Sequence, residues 1–470
     1  MAVAHVLVLP YPSQGHINPM LEFAKRLAAK GPAVTVVVTR HILASVGEPR
    51  DALGPVHLAA ISDGHDAGGF PSAASLEAYL AALGDVGSRT LADLIDDRPF
   101  TCLVYDTYAP WAVPVARRRG LPAVAFSTQS CAVSAIYYYV GGGMLRVPAE
   151  GEEGTAAAAA VEMAALGLPE MGRSEFPSFA LKDGSYPTLA AFALSQFADL
   201  GEEDWVLFNS FDELESKVLT RLNRHFRARA IGPCVPLVPT EAGSTYGMNL
   251  LAAEEDTCMK WLDAKPPASV VYVAFGSFAS LPPEQMAQLA QALLSCNHHF
   301  LWVVRASEEE TLPPQFAERL KEDGGSEKGL VVKWSPQVRV LAHGAVGCFV
   351  THCGWNSTLE AIGFGVPTVA MGLWTDQPTN AKHMESAWGF GVRAAAQRRD
   401  RRGRIVRAEE IERCVREVME REEIRRNARR WRAAAERAAG RGGSSDVSLD
   451  EFVGFLSAMK GGRQGGGTRE

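Results

Sequence analysis

Short apolar runs, each closed by a polar turn and followed by apolar positions at helical spacing, recur along the whole chain. Residues 6–9, 34–38, 102–106, 123–126 and 205–210 in the first half are rich in Val, Leu, Ala and Phe. So are residues 270–275, 300–304, 330–332 and 346–350 in the second. Runs this short, apolar on both faces, predict buried parallel strands. Between them Met20, Leu21, Phe23, Ala24, Leu27 and Ala28 mark one face of a helix, and Met286, Leu289, Ala290 and Leu293 mark another. Residues 76–94 and 408–440 also read as helical, the second amphipathic and highly charged. Strand–helix alternation predicts the α/β class, with mostly parallel sheets flanked by helices. Residues 149–166 have an insert's composition, and 398–407 read as a solvated basic loop.

At 470 residues the chain exceeds one ordinary core. The pattern divides it into a first domain over 1–240, a polar linker over 241–257 and a second domain over 258–445. A helix over 446–460 and a Gly-rich tail of disordered composition over 461–470 follow. Hydrophobic content of 47% with 21% charged residues is that of a globular protein. Net charge of −7 and a pI near 5.9 argue against nucleic-acid partners or an anionic membrane surface. Eight cysteines without a C-x-x-C pair read as free thiols in a reducing compartment, so a cytoplasmic location is expected. Cys348 and Cys353 flank His352 at no common zinc spacing and are read as core, with no metal site. The start lacks a basic region and breaks at Pro10, and no run reaches the ~18 apolar residues of a membrane span, so no stable insertion is expected. Neither Gly363-Phe364-Gly365 nor Gly389-Phe390-Gly391 completes a G-x-G-x-x-G, which weakens a dinucleotide oxidoreductase.

Two stretches carry candidate chemistry. After the first strand comes PYPSQGHINP, residues 10–19, where Asn18 is suited to cap a helix with Pro19 at its first position. That places His16 in a loop above the strand's carboxyl end, where ligands bind in open α/β sheets. Asp106 ends another strand, and one parallel sheet brings it to the same edge. A carboxylate on one imidazole nitrogen leaves the other free to accept a proton. The second stretch runs from Trp334 to Gln377, WSPQVRVLAHGAVGCFVTHCGWNSTLEAIGFGVPTVAMGLWTDQ. A strand, the turn Thr351-His352-Cys353-Gly354, and a helix that Asn356 or Ser357 is suited to cap together make an anion site. His352, Asn356 and Ser357 add donors there, which suits a diphosphate. Glu360 lies one turn on, Trp334 offers a flat face for a base, and Asp376 and Gln377 offer groups for sugar hydroxyls.

W-x-x-Q, then HCGWNS, then E, closing on DQ, resembles the donor-binding signature of the plant family 1 UDP-sugar glycosyltransferases. The resemblance implies the GT-B arrangement of two facing Rossmann-like domains, the acceptor on the first and the donor on the second. It implies His16 as general base and Asp106 as its orienting carboxylate. For the donor it implies Ser277, Trp334, Ser335, Gln337, His352, Trp355, Asn356, Ser357, Glu360, Asp376 and Gln377, with Thr128 touching the sugar. Gln377 is what glucose-using members show, so UDP-glucose is the expected donor, without metal or other cofactor, in a monomer. The blocks AISDGHDAGGF, FSTQSCAVSAIYYY and LWTDQPTNA look most like cereal-type indole-3-acetate β-glucosyltransferases, implying a glucose ester of an auxin-like acid. An O-glucosyltransferase of phenols or flavonoids, or a UDP-sugar-binding protein without turnover, are the alternatives.

Overall fold

Parallel strands buried on both faces dominate the computed structural model, which describes residues 3–46, 53–149, 157–181, 187–202, 204–237, 246–248, 253–396, 399–400 and 403–464. The first half forms one sheet from β1 (His5–Leu9), β2 (Ala33–Thr39), β3 (His57–Ile61), β4 (Cys102–Asp106), β5 (Ala123–Ser127), β6 (Trp205–Phe208) and β7 (Arg227–Ala230). Its order is β3-β2-β1-β4-β5-β6-β7 and every pairing is parallel. The second half forms another from β8 (Val270–Ala274), β9 (His299–Val303), β10 (Gly329–Val332), β11 (Val346–Thr351), β12 (Thr368–Ala370) and β13 (Gly391–Arg393). Its order is β10-β9-β8-β11-β12-β13, again parallel throughout. In each sheet the winding direction reverses between two central strands, β1 and β4 in the first, β8 and β11 in the second. Connections leave those two strands toward opposite faces, so a crevice opens above their carboxyl ends.

Apolar residues fill both faces of each sheet. Val6, Val8 and Val104 pack with Phe23 on one face of the first, and Leu7, Leu103 and Tyr105 pack on the other. The Tyr137-Tyr138-Tyr139 cluster belongs to this packing, with Tyr137 and Tyr139 buried in the core. All eight cysteines are buried and free. Burial pushes the Cys348 and Cys353 thiols well above the usual range, which suits core packing.

Three local expectations change. Asn18 and Pro19 do not start a helix: it spans Gln14–Ala29 with Ser13 before it, and Pro19 lies inside. His16 therefore sits in the helix's first turn, its backbone N–H bonded to the Ser13 carbonyl, and not in a preceding loop. The helix after β11 spans Trp355–Phe364 behind Gly354, and neither Asn356 nor Ser357 caps it. Residues 399–404 contain an antiparallel pair, Arg399–Asp400 with Gly403–Arg404, in place of a plain loop. Of the 149–166 stretch, 150–156 fall outside the described residues, while Ala157–Ala165 is helical.

The last helix, Ser444–Gln464, returns to the first half. Leu449, Phe452 and Leu456 are buried there against the Gln14–Ala29 helix and β6, with Phe452 between Phe23 and Trp205 at ring separations of 6.4 and 5.8 Å. Lys30 pairs with Asp446 at 2.7 Å and Asp450 at 2.6 Å. Phe452→Ala should lower the unfolding free energy by about 3–5 kcal/mol, the cost of an emptied aromatic site. Denaturant unfolding followed by tryptophan fluorescence measures it; a loss below about 1 kcal/mol would mean this helix is not part of the first half's core.

Candidate active site

Both crevices open into one interdomain cleft of about 790 Å³, in the range of small-molecule sites. On the first-half side the Gln14–Ala29 helix follows β1 directly, so His16 stands beside the end of β4. Its Nδ1 lies 2.7 Å from Asp106 Oδ2, and Asp106 is fully buried. The other carboxylate oxygen, Oδ1, accepts the Tyr108 backbone N–H at 2.9 Å. Thr128 Oγ1 is 3.0 Å from the same imidazole nitrogen. The structure thus places Thr128 first against the ring that a reacting group would meet. With Nδ1 so engaged, Nε2 is the nitrogen left for proton transfer. Tyr11 and Tyr108 pack their rings 5.2 and 5.4 Å from the imidazole. Phe70, Tyr79, Phe179 and Leu189 extend this apolar wall. Tyr79 donates to Asp63 at 2.9 Å, so the Ser62–Asp66 loop supports the wall from behind.

On the second-half side, β8 and β11 end next to each other and their turns line one end of the cleft. His352 is wedged between two glycines. A Cβ at Gly276 would lie 2.8 Å from its ring, and one at Gly354 2.5 Å from Nε2, so neither position admits a side chain. Gly276 also has φ +73°. Cys353 holds a left-handed φ of +66°, an uncommon conformation for a residue with a side chain; it aims the turn into the cleft. Burial, with the Arg305 charge nearby, lowers the His352 pKa to about 4, so the ring is neutral and donates through one N–H only. Its Nδ1 is buried without a partner among the described residues.

Ser277 lines the cleft in the turn after β8. Arg305, just beyond β9, holds that turn: it donates to the Ser277 carbonyl at 2.5 Å, to the Ala279 carbonyl, and to Ser280 Oγ at 3.1 Å. Glu308 pairs with Arg305 at 3.0 Å and accepts the Leu281 N–H at 3.2 Å. Sequence reasoning missed this pair. The single available signal was an arginine directly after an apolar strand, at the carboxyl edge. Tyr272 was missed likewise; its hydroxyl bonds Ser335 at 2.8 Å and Gln337 Oε1 at 3.0 Å.

The structure gathers the remaining expected residues on this side. Gln337 donates to Ser357 Oγ at 2.9 Å and to Glu360 Oε2 at 2.6 Å. Trp334 is half-buried at the cleft wall. Asp376 accepts from Asn380 at 2.7 Å and from the Thr375 hydroxyl at 2.7 Å, and the Gln377 side-chain Oε1 accepts the Leu373 and Trp374 backbone N–H groups. Trp355 borders the cleft, but its ring is buried and its indole N–H donates across the domain boundary to the Asn209 carbonyl at 2.7 Å. Asn356 also crosses: its Nδ2 donates to the Gly15 carbonyl at 2.6 Å. Pro19 explains why that carbonyl is available. Lacking an N–H, it leaves the acceptor four residues earlier without its helical partner.

Burial raises the Glu360 pKa to about 7, opposed by the Gln337 hydrogen bond. A carboxyl whose pKa is raised on folding binds its proton more tightly in the native state. Stability is then lost as pH climbs from the unfolded value, near 4.5, to about 7. Glu360→Gln should remove this loss and raise stability at pH 8 by up to about 3 kcal/mol, with little effect at pH 4.5. Unfolding of the ligand-free protein across that pH range is the measurement; parallel curves for both proteins would refute the assignment.

Comparison with known proteins accords with this geometry. The family described as "UDP-glucoronosyl and UDP-glucosyl transferase" matches residues 247–432. Indole-3-acetate beta-glucosyltransferase of Zea mays is 55% identical over 97% of this chain and 98% of its own length. Flavonol 7-O-beta-glucosyltransferase UGT74F1 of Arabidopsis thaliana is 42% identical over 96% of the chain and 97% of its own. The crystal structure of Os79 from O. sativa in complex with UDP superposes with a TM-score of 0.87 at 41% identity, over 96% of this chain and all of that one. With near full-length identity well above what chance allows and the same two-sheet architecture, the chain belongs to the UDP-glucuronosyl and UDP-glucosyl transferase family and has the GT-B fold.

Proposed function

We propose that the chain transfers glucose from UDP-glucose, with inversion, to the carboxylate of a small aromatic acid of the indole-3-acetate kind. The observation that carries this reading is the pair of His16 and buried Asp106 facing the amino end of the Trp355–Phe364 helix across one cleft. The name of the 55%-identical maize protein supports the acid as acceptor. In this reading Trp334 stacks on uracil, Gln337 and Glu360 hold ribose, and Asp376 and Gln377 hold the hexose. Ser277, Ser357 and the backbone N–H groups at Asn356 and Ser357 meet the diphosphate. A neutral His352 adds one N–H where negative charge grows as the bond from anomeric carbon to diphosphate oxygen breaks. The acceptor oxygen forms its bond to the opposite face of that carbon. The electron pair leaves with UDP.

For a hydroxyl acceptor the proton passes to His16 Nε2 as the new bond forms, and Asp106 stabilises the imidazolium. A carboxylic acid is already ionised at neutral pH and brings no proton to remove. Among the described residues, those that the first half contributes to the cleft include no Lys or Arg, while Tyr11, Phe70, Tyr79, Tyr108 and Phe179 supply aromatic faces. That wall suits a flat ring system whose polar end points at the reaction centre. The phosphate end is built from helix N–H groups, hydroxyls and imidazole, so we propose that transfer needs no divalent cation. A cytoplasmic enzyme with a reduced set of buried thiols fits the same reading.

An acceptor panel with UDP-glucose and mass-spectrometric detection of products tests the assignment; absence of any acyl glucose from aromatic acids would overturn it in favour of phenol glucosylation. His16→Ala should reduce transfer to phenols by about 10²–10⁴-fold and to carboxylates much less. Equal losses with both acceptor types would remove His16 as a proton acceptor. Excess EDTA should leave the initial rate unchanged, and a rate restored only by Mg²⁺ or Mn²⁺ would contradict the cation-free reading.

A further inference from the structure

A stretch of the first half that carries none of the expected site residues grips the very loop that carries Asp376 and Gln377. Residues 172–181 contain two short helical turns, Arg173–Glu175 and Ser178–Ala180, and lie against residues 374–382 of the second half. The Ser178 N–H donates to the Thr375 carbonyl at 2.8 Å, and the Thr375 N–H donates back to Ser178 Oγ at 2.8 Å. The Thr379 hydroxyl donates to the Glu175 carbonyl at 2.7 Å. The Glu175 side chain, only 14% exposed, takes Arg393 at 2.5 Å and Lys382 at 3.4 Å on Oε1, and the Gly172 N–H at 2.8 Å on Oε2. Phe179, part of the aromatic acceptor wall, meets Trp374 edge-on at 6.0 Å, and Phe278 stacks on Trp374 at 5.6 Å. Between these ties Thr375 is held at φ +55°, in the left-handed region, immediately before Asp376.

We infer that Glu175 is a positioning residue for the sugar end of the donor: through Arg393, Lys382 and Thr379 it fixes the 374–382 segment, and with it the side chains of Asp376 and Gln377. The inference rests on the proposal that those two residues hold the hexose. The uridine end of the cleft is held by different bonds. Tyr272, Ser335, Gln337, Ser357 and Glu360 support one another inside the second half. Loss of the Glu175 charge therefore acts on glucose and spares uridine. Because Phe179 belongs to the same segment, the acceptor wall and the sugar loop move as one piece, and donor-sugar recognition is tied to the acceptor side.

The test is Glu175→Gln in the full-length enzyme, which keeps an oxygen for the Gly172 N–H and removes the charge that Arg393 and Lys382 share. KM for UDP-glucose should rise by about tenfold, the scale of breaking a partly buried ion pair, while the calorimetric Kd for UDP changes less than about twofold. Combined with Arg393→Met the effects should be far from additive, since both changes break the same contact. Unchanged KM for UDP-glucose, or equal weakening of UDP, overturns the inference. Should Glu175→Gln not give folded protein, Thr379→Val removes one tie at constant shape and is read by the same two measurements. If the wild-type enzyme turns over a different UDP-sugar and not UDP-glucose, the donor assignment fails, and the Glu175 arms are read with that sugar instead.

Discussion

Everything in the cleft depends on two helix amino ends being brought face to face. One belongs to the Gln14–Ala29 helix after β1, the other to the Trp355–Phe364 helix after β11. Each presents unpaired N–H groups and the positive end of a helix dipole to the same volume, an arrangement that asks for an anion. Their approach is secured by one hydrogen bond, from Asn356 to the Gly15 carbonyl, and that acceptor exists because Pro19 cannot use it. A proline in mid-helix normally weakens the helix. Here the lost internal bond reappears as a contact between domains, so local strain and global assembly are aspects of one choice of residue.

The topology explains why the proposed reacting groups come from these strands. In both sheets the cleft-lining turns sit at the reversal of winding: His16 follows β1 and Asp106 ends β4, while Gly276–Ser277 and His352 follow β8 and β11. Nowhere else in a doubly wound sheet are two neighbouring carboxyl ends left uncovered by their own helices. Two such crevices placed opposite each other give one shared cleft from two open sheets, with the apolar wall on one side and the donor-rich turn on the other.

Much of this was legible in the chain. Apolar runs bounded by turns located β1, β2, β4, β5, β6, β8, β9, β10 and β11 within a residue or two, because strands buried on both faces leave a continuous signal. The register of β1 beside β4 then brought His16 and Asp106 together. What failed had physical reasons. Asn18-Pro19 has the chemistry of a helix start, yet the preceding turn of helix is held by Ser13 and by tertiary contacts that local propensity does not see. β7, with its alternating Arg-Ala-Arg-Ala, and the three-residue β12 and β13 are too polar or too short to register as periodic. Arg305 and Glu175 act on partners 25–28 and 204–218 positions away, so no short window of sequence contains both halves of the contact. Asn356 and Ser357 were expected as caps; with Gly354 in that place, their side chains are released to face the cleft.

The return of the last helix to the first half has a mechanical consequence. The chain crosses from the first half to the second before β8 and returns before the Ser444–Gln464 helix, so the two are joined by two covalent tethers. A pair of tethers removes relative translation and leaves chiefly a rotation about the line through them. Any change in the angle between the two halves is thereby confined chiefly to that rotation, and each face is held near the other at an effective concentration that two separate proteins would not reach.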